Sequence, residues 1–149
     1  IDSHHGNGTQ GMFWDRGDVL TVSVHADPNR YYPFFTGHAE ERGAGSGAGC
    51  NLNLPLAFGT ADDGWLDAVA RGADAARRFG AEALVVSLGF DASRDEPLHA
   101  LSVTEDGFAR AGALLGGLRL PSAIVQEGGY AVDVIGTLLE RFLKGWGDA

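Results

Sequence analysis

The chain has 149 residues, 44% of them hydrophobic, which suffices for one domain with an apolar core. A net charge of −9 disfavours nucleic-acid partners and attracts cations, although an acidic surface that merely aids solubility gives the same balance. No apolar run approaches the ~18–20 residues needed to cross a bilayer, so no membrane partner is expected, and the lone Cys50 excludes a disulfide within these residues and fits a reducing, cytoplasmic setting.

Residues 1–10, IDSHHGNGTQ, place Asp2 and His4 two positions apart where a strand runs out into glycines. In an extended segment, residues i and i+2 share a face, so both side chains can meet one cation while Ser3 points away. Glycines at 6 and 8 would let the backbone turn just beyond them. This is half of a metal site, because a catalytic zinc takes three protein ligands and keeps a fourth position open.

Further on, Asp18 to Ala26 reads as a strand, GAGSGAG at 43–49 as a structured loop or a linker, and Cys50 to Leu56 as a second strand. The spacing of Leu66, Val69, Ala70, Ala73, Ala76 and Phe79 predicts a helix over Asp63–Phe79, stopped by Gly80. Ala83 to Leu88 is an apolar, β-branched run of the kind buried in parallel sheets, and Gly-Phe-Asp follows it. Asp91 is thereby the best third ligand, carried to a crevice at a strand's carboxyl end. Thr104 caps a helix with Glu105 and Asp106 in its first turn and Phe108, Ala111, Leu114 and Leu115 on one face. Ser122 to Gln126 is the last strand. After it come Gly128, Gly129 and Tyr130, then a helix over Val132–Trp146 buried along Ile135, Leu138, Leu139, Phe142 and Trp146.

Strand and helix alternate, which predicts an α/β fold with a parallel sheet and helices on both faces. Each candidate taken singly has a plainer reading: Asp2 as a turn cap, His4 as a surface histidine, Asp91 as the start of a loop, Tyr130 as a packed tyrosine. Three strand ends that carry metal-type ligands and a phenol from one sheet edge favour a site.

These residues carry a resemblance. Asp-x-His-His-Gly-Asn-Gly at 2–8, VLTVSVH at 19–25, GFD at 89–91 and EGGY at 127–130 resemble, in order and approximate spacing along essentially the whole chain, the zinc-dependent deacetylases of the arginase/deacetylase fold. YYPFFTGHAEE, GCNLNLPL and VQEGGYAVD are similar to the acetylpolyamine amidohydrolase branch. The resemblance implies one zinc held by Asp2, His4 and Asp91, hydrolysis of an acetyl amide on a small cationic amine, and Tyr130 as hydrogen-bond donor to the oxyanion, with Gly128 and Gly129 letting the backbone approach the substrate. It implies an acyl tunnel walled by Tyr32 and Leu98. It also implies structural potassium, at one site by Ser23 with the carbonyls of Asp2 and His4, and at a second by the carbonyls of Phe13, Arg16 and Val19.

In that family a tandem histidine pair acts as general base from an earlier half of the domain. Residues 1–149 are therefore expected to be the C-terminal portion of a single deacetylase-like catalytic domain, inactive alone. An arginase-like enzyme with two manganese ions would need a further carboxylate where Gly6 stands. An acetyl-lysine protein deacetylase and a non-catalytic binding protein of the same fold are the rival readings, and a homodimer is left open. Glu96 departs from the Asp that relatives often carry before Pro97, which puts the local loop geometry in question.

Overall fold

Strand and helix alternate in the computed structural model, which describes all residues 1–149: α1 (Asn7–Phe13), β1 (Thr21–Ala26), β2 (Asn51–Leu56), α2 (Asp62–Phe79), β3 (Leu84–Leu88), α3 (Glu105–Gly116), β4 (Ser122–Gln126) and α4 (Val132–Gly147). β1 pairs in parallel with β2, Thr21 opposite Asn51, and β3 pairs in parallel with β4, Leu84 opposite Ser122. Residues 1–3 run between the two pairs. Ile1 donates through its amino group to the Ser87 carbonyl and accepts from the Gly89 N–H, both at 2.9 Å, while the Ala26 N–H donates to the Ser3 carbonyl at 2.9 Å. The lateral order is thus β2, β1, residues 1–3, β3, β4, as the predicted α/β parallel arrangement requires.

The helices form where the sequence sets them up. Asp62 and Asp63 open α2 and Arg77 and Arg78 close it, each sign facing the favourable end of the helix dipole. Gly80 ends it in the left-handed region at φ 76°. The Thr104 hydroxyl accepts the Gly107 N–H at 3.3 Å, capping α3 as expected. Asp62 accepts in turn from the Thr104 N–H at 2.8 Å and hydroxyl at 2.6 Å, so the starts of α2 and α3 are tied together.

The core is aromatic at its centre. Trp65 of α2, Phe108 of α3 and Phe90 beyond β3 are fully buried, with the Phe108 ring centroid 5.3 Å from Trp65 and 5.4 Å from Phe90. Such pairs contribute roughly 0.5–1.5 kcal/mol each beyond the area they bury. Leu138 and Phe142 bury α4 as predicted, with Ile135, Leu139 and Trp146 packed beside them.

Several expectations need correction. β1 starts at Thr21 rather than Asp18, whose carboxylate is held by the Arg16 guanidinium at 2.9 and 2.6 Å in an exposed turn. α1 was unforeseen because Gln10 is its only buried residue, so it shows no apolar period. Gly8 lies inside that helix, and neither Gly6 nor Gly8 has positive φ, so neither supplies the special turn conformation assigned to it. The 43–49 segment is a structured loop around a 3-10 turn at Gly45–Gly47, not a linker. Phe79 stays outside the α2 face at 37% exposure, while Trp65 and Ala68 join it. β3 is buried on one face only: Val86 and Leu88 face the core, whereas Val85 is 69% exposed. No helix is long and apolar enough to cross a membrane.

Candidate metal centre

The site forms where residues 1–3, β3 and β4 end side by side. The chain does not stay extended at Ser3 and His4 but bends, and the bend brings three ligand-type atoms together. His4 Nδ1 lies 3.1 Å from Asp2 Oδ1 and 2.9 Å from Asp91 Oδ2, and one donor atom from each residue falls within 4.8 Å of the others. The bend also overturns the expectation that Ser3 points away: its hydroxyl is 3.3 Å from His4 Nδ1 and 3.5 Å from the Tyr31 hydroxyl.

Backbone amides fix the carboxylates. Asp2 Oδ1 accepts the His4 N–H at 2.7 Å, Asp2 Oδ2 accepts the Gly128 N–H at 3.2 Å, and Asp91 Oδ1 accepts the Ser3 N–H at 2.7 Å. Two glycines make room for them. A Cβ on Gly128 would strike the Asp91 carboxylate, and one on Gly89 would strike that of Asp2. A side chain at either position would drive the ligands apart, which is a steric reason for glycine in both GFD and EGGY.

The electrostatics are those of a corner short of positive charge. His4 is pushed up to about 9, by its contacts with Asp2 and then Asp91, against burial that would lower it. For the Asp2 carboxyl, burial pushes upward, but the His4 ring and backbone N–H outweigh it and hold the group below the usual carboxylate range. One imidazole proton cannot satisfy two carboxylates at once. Donors around a tetrahedral zinc, with bonds of about 2.0–2.2 Å, stand roughly 3.4 Å apart. The Asp/His/Asp set, with its excess negative charge and its spacings of 2.9–3.1 Å to the ring nitrogen, fits one divalent cation.

Around the triad, Tyr31 stacks on His4 with centroids 4.7 Å apart and planes 30° apart, and Phe58 meets Tyr31 edge-on. Tyr32, the predicted tunnel wall, is 62% exposed with its ring centroid 6.3 Å from that of His4. Leu98, the other predicted wall, is 61% exposed on the loop after β3. Tyr130 follows Gly129, whose φ of +131° admits glycine readily, and its phenol is 60% exposed. Burial, then the charges of Asp91, Asp2 and Glu96, raise that phenol above its ordinary value and keep its proton on.

Of the predicted potassium residues, Asp2 and His4 belong to the triad itself. Ser23 sits in β1, where its hydroxyl is 2.8 Å from His25 Nδ1 and 3.3 Å from His5 Nδ1. The Phe13 carbonyl accepts the Arg16 N–H at 3.1 Å, and Val19 precedes β1.

Sequence reasoning missed Tyr31, Ser3 and Gly89. It also missed the burial and contacts of Glu96, which is 1% exposed and whose carboxylate accepts the Tyr130 and Ala131 N–H groups at 2.7 and 2.9 Å. Only the odd Glu before Pro97 signalled it.

A parallel α/β core carries an Asp/His/Asp corner at its strand ends, and comparison with known proteins gives its family. Residues 1–146 match the histone deacetylase domain, and the chain belongs to that family. It is 47% identical over 146 residues to the acetylpolyamine amidohydrolase of Burkholderia pseudomallei, covering 98% of this chain and 43% of that protein. Acetylpolyamine amidohydrolase 1 of Pseudomonas aeruginosa is 42% identical, with 98% and 42% covered. The crystal structure of the Burkholderia pseudomallei acetylpolyamine aminohydrolase superposes with a TM-score of 0.95 at 47% identity, over 98% of this chain and 43% of that one. The chain thus spans less than half the length of these relatives.

Proposed function

We propose that the polypeptide containing these residues hydrolyses the acetyl amide of a small cationic amine, an acetylpolyamine, and that Asp2, His4 and Asp91 hold one zinc for the reaction. The observation that carries the reading is the convergence of two fixed carboxylates on one imidazole nitrogen. The likeness to acetylpolyamine amidohydrolases supports the substrate class, as does a net charge of −9 that attracts polycations.

When bound, zinc would polarise the amide carbonyl and acidify a water. The chain's own groups do the rest. Tyr130, whose phenol is protonated at neutral pH and is raised further by desolvation and the neighbouring carboxylates, donates its O–H to the oxygen that gains negative charge. Gly128 keeps a side chain off the Asp91 and Asp2 carboxylates, and Gly129 lets the backbone pass close against Phe90, so the chain reaches the substrate here without a side chain in the way. Tyr32 and Leu98 flank the acyl group from two loops, and Tyr31 holds the imidazole plane. Asp2 and Asp91 keep their orientation through backbone N–H donors, so the ligand set is ordered in advance.

His5 and His25 face the β1–β2 polar network, and from the family resemblance the proton acceptor for water is proposed to be a tandem histidine pair elsewhere in the polypeptide, with residues 1–149 inert alone. Potassium is proposed from the resemblance alone, with Ser23, Asp2, His4, Phe13, Arg16 and Val19 as its set.

The test uses the full polypeptide with acetylputrescine and with an acetyl-lysine peptide. We expect a clear preference for acetylputrescine, and Tyr130→Phe should lower kcat on the order of 10²–10³-fold at unchanged metal content. Preference for the peptide would transfer the function to protein deacetylation, and an unchanged rate in Tyr130→Phe would remove the phenol from the reaction.

A further inference from the structure

Glu96 is a buried carboxylate outside the ligand set, on the loop that leaves β3 carrying Asp91 and Leu98. Its Oε1 accepts from two successive backbone amides, Tyr130 N–H at 2.7 Å and Ala131 N–H at 2.9 Å, on the loop that leaves β4. Its Oε2 is buried with no protein partner. The recipient is the entry to α4, where Ala131 is the N-cap and has no side chain to accept a hydrogen bond. A carboxylate usually supplied to such an amide from within the same helix is supplied here from another loop, at the positive end of the helix dipole. The side chain therefore latches the loop of Asp91 to the loop of Tyr130.

We propose that Glu96 is a positioning residue that sets the Tyr130 phenol against the metal ligands by fixing the Tyr130–Ala131 backbone. The inference rests on the role given to Tyr130 above. Without the latch, the Tyr130 peptide loses its acceptor, just after a glycine in an extended positive-φ conformation, and the phenol, itself mostly exposed, has little other packing to hold it.

Kinetics of the full polypeptide on acetylputrescine decide it. Glu96→Leu keeps an apolar side chain of similar size in the buried space but removes both acceptors. We expect kcat to fall ~10–100-fold with little change in KM, a loss in the range that follows misplacement of a reacting group, while zinc content stays at one per chain. Glu96→Gln retains a carbonyl acceptor and should stay within about threefold of the parent, since the neutral hydrogen bond survives. In a Tyr130→Phe background Glu96→Leu should cost less than about threefold, because a residue acting through the phenol has nothing left to position.

A Glu96→Leu rate within about twofold of the parent overturns the proposal, as does an equal loss in both backgrounds or a Glu96→Gln variant as slow as Glu96→Leu. If Glu96→Leu does not accumulate, Ala131→Pro removes one donor at a residue whose φ of −79° already suits proline, and the same outcomes apply. Loss of the underlying reading is separately visible, because Tyr130→Phe would then turn over at the parent rate.

Discussion

Two buried polar regions lie side by side in this chain and handle charge in opposite ways. Beneath α1, Glu41 offers one carboxylate oxygen to the Gln10 amide at 2.6 Å, the Gly37 N–H at 2.9 Å and the Thr36 hydroxyl at 3.0 Å. Burial pushes the Glu41 carboxyl upward, but these donors prevail and hold it below its ordinary value. Gln10 accepts in turn from Asn51 and Asn53, each at 2.9 Å, and the neutral His25 bridges Ser23 and the Gly37 carbonyl. At the Asp2–His4–Asp91 corner two carboxylates share a single ring nitrogen. A buried polar cluster does not by itself mark a site. Anionic charge beyond what the protein's own donors can answer does, because it leaves a place for a cation.

The contrast implies that damage to the corner should appear in metal content and damage to the Glu41 network in stability. The largest effect is expected for Asp91→Ala in the full polypeptide: stoichiometric zinc and turnover should both be lost while the thermal transition of the metal-free protein moves little, as read by elemental analysis and calorimetry. Retained zinc would show that the third ligand is misassigned. Next, Glu41→Ala should leave zinc stoichiometry intact and destabilise by ~1–3 kcal/mol, the cost of stranding buried donors such as the Gly37 N–H. Loss of zinc in that variant would erase the distinction between the two regions.

A further effect depends on pH. Burial, only partly offset by its contact with Gly37, pushes His25 down to about 4 from an ordinary 6.5. The unfolded chain therefore binds this proton more readily, so the contribution of His25 is complete above pH 6.5 and is lost as pH falls toward 4, by about 3 kcal/mol at most. Urea unfolding at pH 7 and pH 4.5 should show a steeper acid loss in the parent than in His25→Asn, and equal slopes would mean that the imidazole is not held neutral by the fold.

Much of this architecture could be read from the residues. Periodicity placed α2, α3 and α4 because each buries an apolar stripe, and Asp2, His4 and Asp91 stood out only in combination, as metal-type side chains at strand ends that leave the same sheet edge as the Tyr130 phenol. What escaped was held by polar contacts between distant segments. α1 buries a glutamine instead of an apolar face, and Tyr31 is marked off from Tyr32 by its stacking on His4 and its contacts with Ser3 and Phe58. Glu96 looked like a loop oddity because its partners are the N–H groups of residues 34 and 35 positions away, which have no side-chain signature. The bend at Ser3 was hidden for the same reason, since the Asp91 carboxylate that holds the Ser3 N–H is 88 residues distant.

The short stretch from Ile1 to Ser3 is the seam between the two strand pairs, stitched to β1 on one side and β3 on the other. Asp2 lies in that seam and His4 directly follows it, while Asp91 belongs to the pair beyond it. A cation held by all three, as proposed, would be a rivet through the joint, and binding it would clamp the two halves of the framework to each other.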